Sequence, residues 1–167
     1  RGVAEHFDVE SEVDLIMGTF SKSFASLGGF LVGDGAVIDY IKHHARSLIF
    51  SASMPPANVA TVLAALDIME NEPEHRARLW ENTNKMKMAL QELGFNTGNS
   101  ESPVIPIIIG DMDRTIHFWK QLFEAGVFVN PIVPPGVPPD MSLLRTSYMA
   151  THTEDELNRV LEIFDRI

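Results

Sequence analysis

The stretch from Asp14 to Gly29 constrains this chain more than any other. Leu15-Ile16-Met17 is an apolar run of strand length and Phe30-Leu31-Val32 is a second. Between them stand Gly18-Thr19-Phe20-Ser21-Lys22-Ser23 and the glycine pair Gly28-Gly29. Two short strands joined by a glycine-closed turn are the expectation, both of them buried, with a single lysine held between core elements. The glycine pair permits a close backbone approach that a solvated loop does not require. A lysine attacks a carbonyl only as the neutral amine, and hydroxyls with backbone N–H groups can hold an anion beside it. Lys22 is therefore the candidate reactive amine. A solvated lysine in a polar turn is the alternative, and the flanking apolar runs weigh against it. Ser21 and Ser23 have two uses open, in holding the anion or in hydrogen bonding within the turn.

Size and charge remove several classes. At 167 residues, 45% hydrophobic and 22% charged, the composition is that of a globular chain long enough for a sizeable core. No apolar run reaches the roughly 18 residues of a membrane span. With no cysteine there is no disulfide or thiolate metal site, which fits a reducing cytoplasm. The net charge of −10 argues against nucleic acid or an anionic membrane surface as the main partner. His43, His44, His75 and His117 fall on helices without the carboxylate spacing of a metal site, so no metal is expected. His152 precedes a helix start and is read as shaping it, and Trp80 and Trp119 are read as packing residues.

The chain alternates strands and helices. Strands are expected over 13–20 and 29–33, a helix over 36–45, and an extended stretch over 47–54 leading to Pro55-Pro56, a plausible hinge and helix start. Val59, Val62, Leu63, Leu66 and Met69 recur at helical spacing over 57–71. A helix over 74–93 closes at Gly94. Then follow a strand over 104–109, a helix over 114–125 ending at Gly126, a strand over 127–133 and a strand over 143–149. Pro134-Pro-Gly-Val-Pro-Pro139 between the last two cannot join a ladder; it is either a cover for a site or a rigid connection. Thr153 with Glu156 three residues on is a capping box for the final helix. A domain boundary is drawn near Ser53, giving 1–53 and 54–167.

Arg145 is one charge presented by an apolar strand, Leu143-Leu-Arg-Thr-Ser147. Its planar guanidinium matches a carboxylate with two parallel donors and keeps its charge, so it is the candidate carboxylate clamp. A structural salt bridge is the other reading.

Taken in order, several segments resemble the α-oxoamine synthases. They are Gly18-Thr-Phe-Ser-Lys22-Ser with Gly28-Gly29-Phe30, Arg46-Ser-Leu-Ile-Phe-Ser51-Ala-Ser53-Met-Pro-Pro56, Arg78-Leu-Trp80-Glu-Asn82, Val127-Phe-Val-Asn130-Pro131, Leu143-Leu-Arg145-Thr-Ser147 and Ala150-Thr-His152-Thr153. That family comprises fold-type I pyridoxal-phosphate (PLP) enzymes that condense an amino acid with an acyl-CoA and release carbon dioxide. The resemblance implies an α/β chain: the end of a cofactor-binding large domain over 1–53, then a small C-terminal α/β domain over 54–167 with a mainly antiparallel sheet. It implies PLP on Lys22, which also takes the substrate's α-proton, and Thr19 and Ser21 at the cofactor phosphate. Ser51 is implied to reach the phosphate of a partner subunit's cofactor in a homodimer with shared active sites; a connector whose serines satisfy backbone groups is the alternative. Arg145 is implied to bind the substrate carboxylate.

L-Serine with palmitoyl-CoA is the expected pair, with glycine plus acetyl-CoA or the 8-amino-7-oxononanoate-forming condensation as alternatives. An aminotransferase on the same scaffold and a non-catalytic domain or regulatory subunit are the readings from other classes. Some members carry an arginine where Val133 stands here. The aromatic ring that stacks on the cofactor, the aspartate on its pyridine nitrogen and a histidine on its oxygen have no counterpart, so the chain is expected to be the C-terminal part of a cytoplasmic enzyme.

Overall fold

The computed structural model describes residues 2–167. In chain order its elements are helix α1 (Val3–His6), a 3-10 turn (Glu10–Glu12), strands β1 (Leu15–Thr19) and β2 (Gly29–Gly33), and helices α2 (Gly35–His44), α3 (Arg46–Ile49), α4 (Pro56–Asn71) and α5 (Glu74–Glu92). They continue with β3 (Val104–Gly110), α6 (Met112–Glu124), β4 (Asn130–Ile132), β5 (Ser142–Ser147) and α7 (Glu154–Arg166). The chain divides into two compact units, Arg1–Glu72 and Pro73–Ile167. The division lies beyond the boundary drawn near Ser53, because Pro55-Pro56 opens α4 with Pro56 in its first turn and the end of α4 closes the unit.

In the first unit β1 and β2 form an antiparallel pair in which Leu15 faces Gly33 and Thr19 faces Gly29. The strands fall where expected, but their side chains are not buried. Met17 is 70% exposed and Leu15, Phe30, Leu31 and Val32 are all exposed. No third strand extends this sheet among the described residues, so two strands have no layer to pack against. Helix α4 forms over the predicted span, yet it too has no buried residue. The stretch expected to be extended over 47–54 begins instead as the helical turn α3. Leu48 and Ile49 donate to the Ala45 carbonyl at 3.0 Å and Phe50 to that of Arg46 at 3.0 Å. With no strand alongside to pair with, the backbone satisfies itself locally.

The second unit holds the core. Met86, Leu90, Ile105, Ile107, Leu122 and Leu144 are completely buried, and Phe95, Phe118 and Phe164 pack around them with ring centroids 5.4–5.9 Å apart. The sheet has the order β3-β5-β4 and is antiparallel throughout, as expected. Leu144 and Thr146 turn inward with Ile105 and Ile107, and Arg145 turns the other way, the period-two alternation of a half-covered sheet. Two prolines sit inside strands at no cost to the ladder. Pro106 faces Arg145 and Pro131 faces Leu144, both on edge strands, where an outward-turned nitrogen needs no partner.

Helix α7 begins with the predicted box. The Thr153 hydroxyl accepts from Glu156 N–H, and Glu156 Oε2 accepts from Thr153 N–H at 2.8 Å. Gly94 and Gly126 close α5 and α6 at φ 88° and 90°, the left-handed geometry that a Cβ opposes. Trp119 packs as expected and its indole N–H donates to the Val129 carbonyl at 3.1 Å. Trp80, on the outer side of α5, is exposed rather than packed. The strand expected over 127–133 pairs only over Asn130–Ile132. Val127 N–H is drawn instead to the Leu122 carbonyl at 2.8 Å, closing α6, so the chain joins the sheet late.

Candidate active site

Lys22 lies in the turn between β1 and β2, a turn held by its own backbone. Phe20 N–H donates to the Gly28 carbonyl and Ser26 N–H to the Phe20 carbonyl, each at 2.9 Å, and Ala25 N–H donates to Lys22 at 2.9 Å. Ser26, buried, anchors the turn to α4: its hydroxyl donates to the Asn58 carbonyl at 3.0 Å and accepts from the Asn58 amide at 3.2 Å. A Cβ on Gly29 would stand 2.5 Å from the Gly18 carbonyl oxygen, which is why only glycine fits opposite Thr19. The turn thus presents Lys22 outward, exposed, with its amine meeting no acceptor among the described residues. The expected desolvation of this amine is not supplied by its own unit. Beside it the Ser21 hydroxyl donates to the Thr19 hydroxyl at 3.3 Å, so the two form a pair of oxygens at one end of the turn. Ser23 makes no side-chain hydrogen bond among the described residues.

Ser51 is exposed between α3 and α4, with its hydroxyl donating to the Ser47 carbonyl. That is the local use named as its alternative role, and it leaves the oxygen free to accept.

Arg145 belongs to the other unit, at the middle of β5. It is exposed and its guanidinium forms no ion pair or hydrogen bond among the described residues, so the salt-bridge reading does not hold there. It lines a cleft of about 740 Å³. The cleft opens where β4 stops. Had residues 127–129 continued the register that sets Asn130 against Arg145, they would have covered Tyr148, Ser147 and Thr146; because they diverge, both segments become walls of the cleft. Alternation along β5 also matters. Tyr148 N–H reaches the Pro103 carbonyl at 3.2 Å on the β3 side, so the backbone of Ser147 faces the opening.

Three further groups line this cleft, and of these Tyr148 was not singled out from sequence. Glu156 lines the cleft, but its charge is engaged by the cap: hydrogen bonds from Thr153 N–H and hydroxyl hold its carboxyl below the usual range. Burial pushes the Tyr148 phenol up to about 12, opposed by a hydrogen bond with Thr146. His152 shapes the helix entry as expected: its Nδ1 accepts from Met149 N–H at 3.2 Å, and its carbonyl accepts from Asn82 at 3.1 Å. Glu156 and His152 had a signal in the sequence, the capping box and the position before it, whereas Tyr148 had none.

An antiparallel α/β unit and a lysine turn between paired strands match part of the fold of type I PLP enzymes. A solved serine palmitoyltransferase structure carrying a PLP internal aldimine superposes with a TM-score of 0.93 at 33% identity over 99% of this chain and 42% of its own. The chain belongs to the aminotransferase class I and II family, which matches residues 1–164. It is 55% identical over 166 residues to a serine palmitoyltransferase of Sphingobacterium spiritivorum, covering 99% of this chain and 42% of that one. It is 40% identical over 167 residues to an 8-amino-7-oxononanoate synthase of Alkaliphilus oremlandii, again covering 42% of the relative. The chain therefore spans about two fifths of the length of the curated relatives it matches. No helix among the described residues is long and apolar enough to cross a membrane.

Proposed function

We propose that this chain is the C-terminal part of a PLP-dependent acyltransferase that condenses L-serine with palmitoyl-CoA, giving 3-ketodihydrosphingosine, CoA and carbon dioxide. The observation that carries the choice is the 55% identity to a serine palmitoyltransferase against 40% to an 8-amino-7-oxononanoate synthase, over nearly the same residues. Residues 1–53 are the end of the cofactor domain and 54–167 the small domain, and the enzyme is a cytoplasmic homodimer.

The donor set suits PLP, with an exposed amine on Lys22 beside the paired hydroxyls of Thr19 and Ser21. Lys22 would hold the cofactor's aldehyde carbon, and Thr19 and Ser21 its phosphate. Ser51 serves the phosphate of the partner's site through its free lone pairs. When bound, PLP supplies the electron sink that stabilises negative charge on the amino acid's α-carbon. Lys22 Nζ, once released by the substrate's amino group, would take the α-proton, and Arg145 would bind the carboxylate with two parallel N–H donors. In the net reaction the α-carbon would exchange its carboxyl group, lost as carbon dioxide, for the acyl group, and CoA would leave as the thiol.

The test is mass-spectrometric product analysis of the full-length protein with serine or glycine, each offered with palmitoyl-CoA, acetyl-CoA or pimeloyl-CoA (the last with alanine as well). A long-chain 3-keto base from serine and palmitoyl-CoA alone supports the proposal. Aminoketobutyrate from glycine and acetyl-CoA, or 8-amino-7-oxononanoate from alanine and pimeloyl-CoA, overturns the substrates while keeping the chemistry. Borohydride reduction with PLP that leaves Lys22 unlabelled overturns the catalytic reading itself.

A further inference from the structure

The β4–β5 register places a second polar group beside Arg145. Asn130 is the residue directly opposite it in the antiparallel pair. Side chains of directly opposed residues rise from the same face of a sheet with Cβ atoms about 5 Å apart, close enough to touch one ligand. On the other flank of Arg145 stands Pro106, which offers no donor or acceptor from its side chain. Asn130 is thus the one polar side chain beside the guanidinium across either ladder.

Three further observations bear on its use. Asn130 and Arg145 are both exposed and both line the same cleft. Neither side chain makes a hydrogen bond or ion pair among the described residues, so the carboxamide and the guanidinium are unspent. The carboxylate in that cleft, Glu156, is tied to Thr153 at 2.8 and 3.0 Å and does not pair with Arg145. A chain of net charge −10 that keeps an arginine and a neighbouring amide clear of its own acids has a site open to a foreign anion. Position also matters. Asn130 is the first residue of β4, at the point where the chain joins the sheet, and it lines the cleft beside the diverging residues 127–129.

We propose that Asn130 is a second recognition residue for the amino-acid substrate: its Nδ2–H₂ donates to a carboxylate oxygen that Arg145 holds from the other side. An arginine alone fixes a carboxylate in the guanidinium plane but leaves it free to slide along the fork. A donor from a fixed neighbouring strand sets the tilt, and with it the direction of the Cα–H bond. The inference rests on the reading of Arg145 as the carboxylate clamp.

The experiment is titration of full-length PLP-loaded enzyme with L-serine, followed by the cofactor's absorbance change, alongside steady-state kinetics. Wild type is compared with Asn130→Ala, Asn130→Asp and Arg145→Gln, with ethanolamine as the ligand that lacks a carboxylate. Loss of a hydrogen bond to a charged group corresponds to roughly ten-fold or more in affinity. Asn130→Ala is expected to raise the Kd and KM for serine about ten-fold while leaving the KM for the acyl-CoA within about two-fold. Asn130→Asp puts an anion beside Arg145 and is expected to cost more than the alanine variant. In both variants ethanolamine binding is unchanged, so the preference for serine over ethanolamine shrinks. If serine affinity is unchanged in both Asn130 variants while Arg145→Gln weakens it, the inference fails and the clamp stands. If Arg145→Gln leaves serine affinity unchanged, the clamp reading fails as well. Equal weakening of serine and ethanolamine in folded Asn130 variants also overturns the inference, since it marks a general disturbance of the cleft.

Discussion

The two units of this chain use similar residues for different ends. The second unit buries its apolar side chains: every member of the hydrophobic core, from Met86 to Phe164, lies there. The first unit carries comparable side chains on β1, β2 and α4 and buries none of them, and among its described residues Ser26 alone is buried. The Lys22 turn is accordingly shaped by hydrogen bonds and glycine sterics, and Arg145 by a packed sheet. A site residue can be held rigidly by backbone bonding without a core beneath it, but such a region has little burial energy of its own.

The contrast can be broken most directly at Leu144, which is completely buried on the central strand. Leu144→Ala is expected to cost about 2–5 kcal/mol of the second unit's stability, whereas Met17→Ala on exposed β1 costs less than about 0.5. Both tryptophans, Trp80 and Trp119, lie in the second unit, so urea unfolding followed by tryptophan fluorescence reads Leu144→Ala, while far-ultraviolet circular dichroism, which sees both units, reads Met17→Ala. Equal effects from the two substitutions would end the distinction.

Alkaline pH tests the same packing more gently. Tyr148 has its folded-state pKa raised to about 12 from 10.0, so the stabilisation is fully present below pH 10 and is lost as pH rises toward 12. The loss over that window is about 2 kcal/mol, and Tyr148→Phe should flatten the urea midpoint against pH there. An unchanged slope in the phenylalanine variant would remove Tyr148 as its source.

Smaller again is the cap of α7. Thr153→Ala removes the acceptor for Glu156 N–H and is expected to lower stability by about 1 kcal/mol, read as a lower thermal midpoint by circular dichroism. The cap also weakens in acid, because Glu156 has a depressed folded-state pKa and its contribution is lost as pH falls through that value. A small effect is expected at Ser142 as well, whose hydroxyl is buried with no partner among the described residues. Ser142→Ala should be neutral or slightly stabilising, within about 1 kcal/mol, since it removes a desolvated polar group that gains nothing from burial. A loss well beyond that would mean the hydroxyl is bonded in solution.

Local signals carried much of the fold. Gly94 and Gly126 ended helices because a left-handed residue is needed there, Thr153 and Glu156 capped a helix because their spacing satisfies two orphan donors, and Arg145 stood out as one charge on an apolar strand. For the candidate site, the lysine, its hydroxyls and the arginine stand out in the sequence as residue types in an apolar setting. Their environments do not. The pairing of Asn130 with Arg145 depends on register between segments far apart in sequence, and the freedom of Arg145 from any acid depends on where Glu156 is spent.

By itself, then, the sequence determined most of the elements, with their caps and turns, and marked out the candidate lysine, hydroxyls and arginine, because each of these is governed by neighbours within a few positions. Only the tertiary structure decided that β1, β2 and α4 leave their apolar sides open in this chain. It alone decided that the strand expected from 127 begins at Asn130, and that the resulting gap becomes the arginine cleft. Those outcomes turn on which distant segments compete for the same backbone partners and the same apolar surface, and no local pattern encodes that competition.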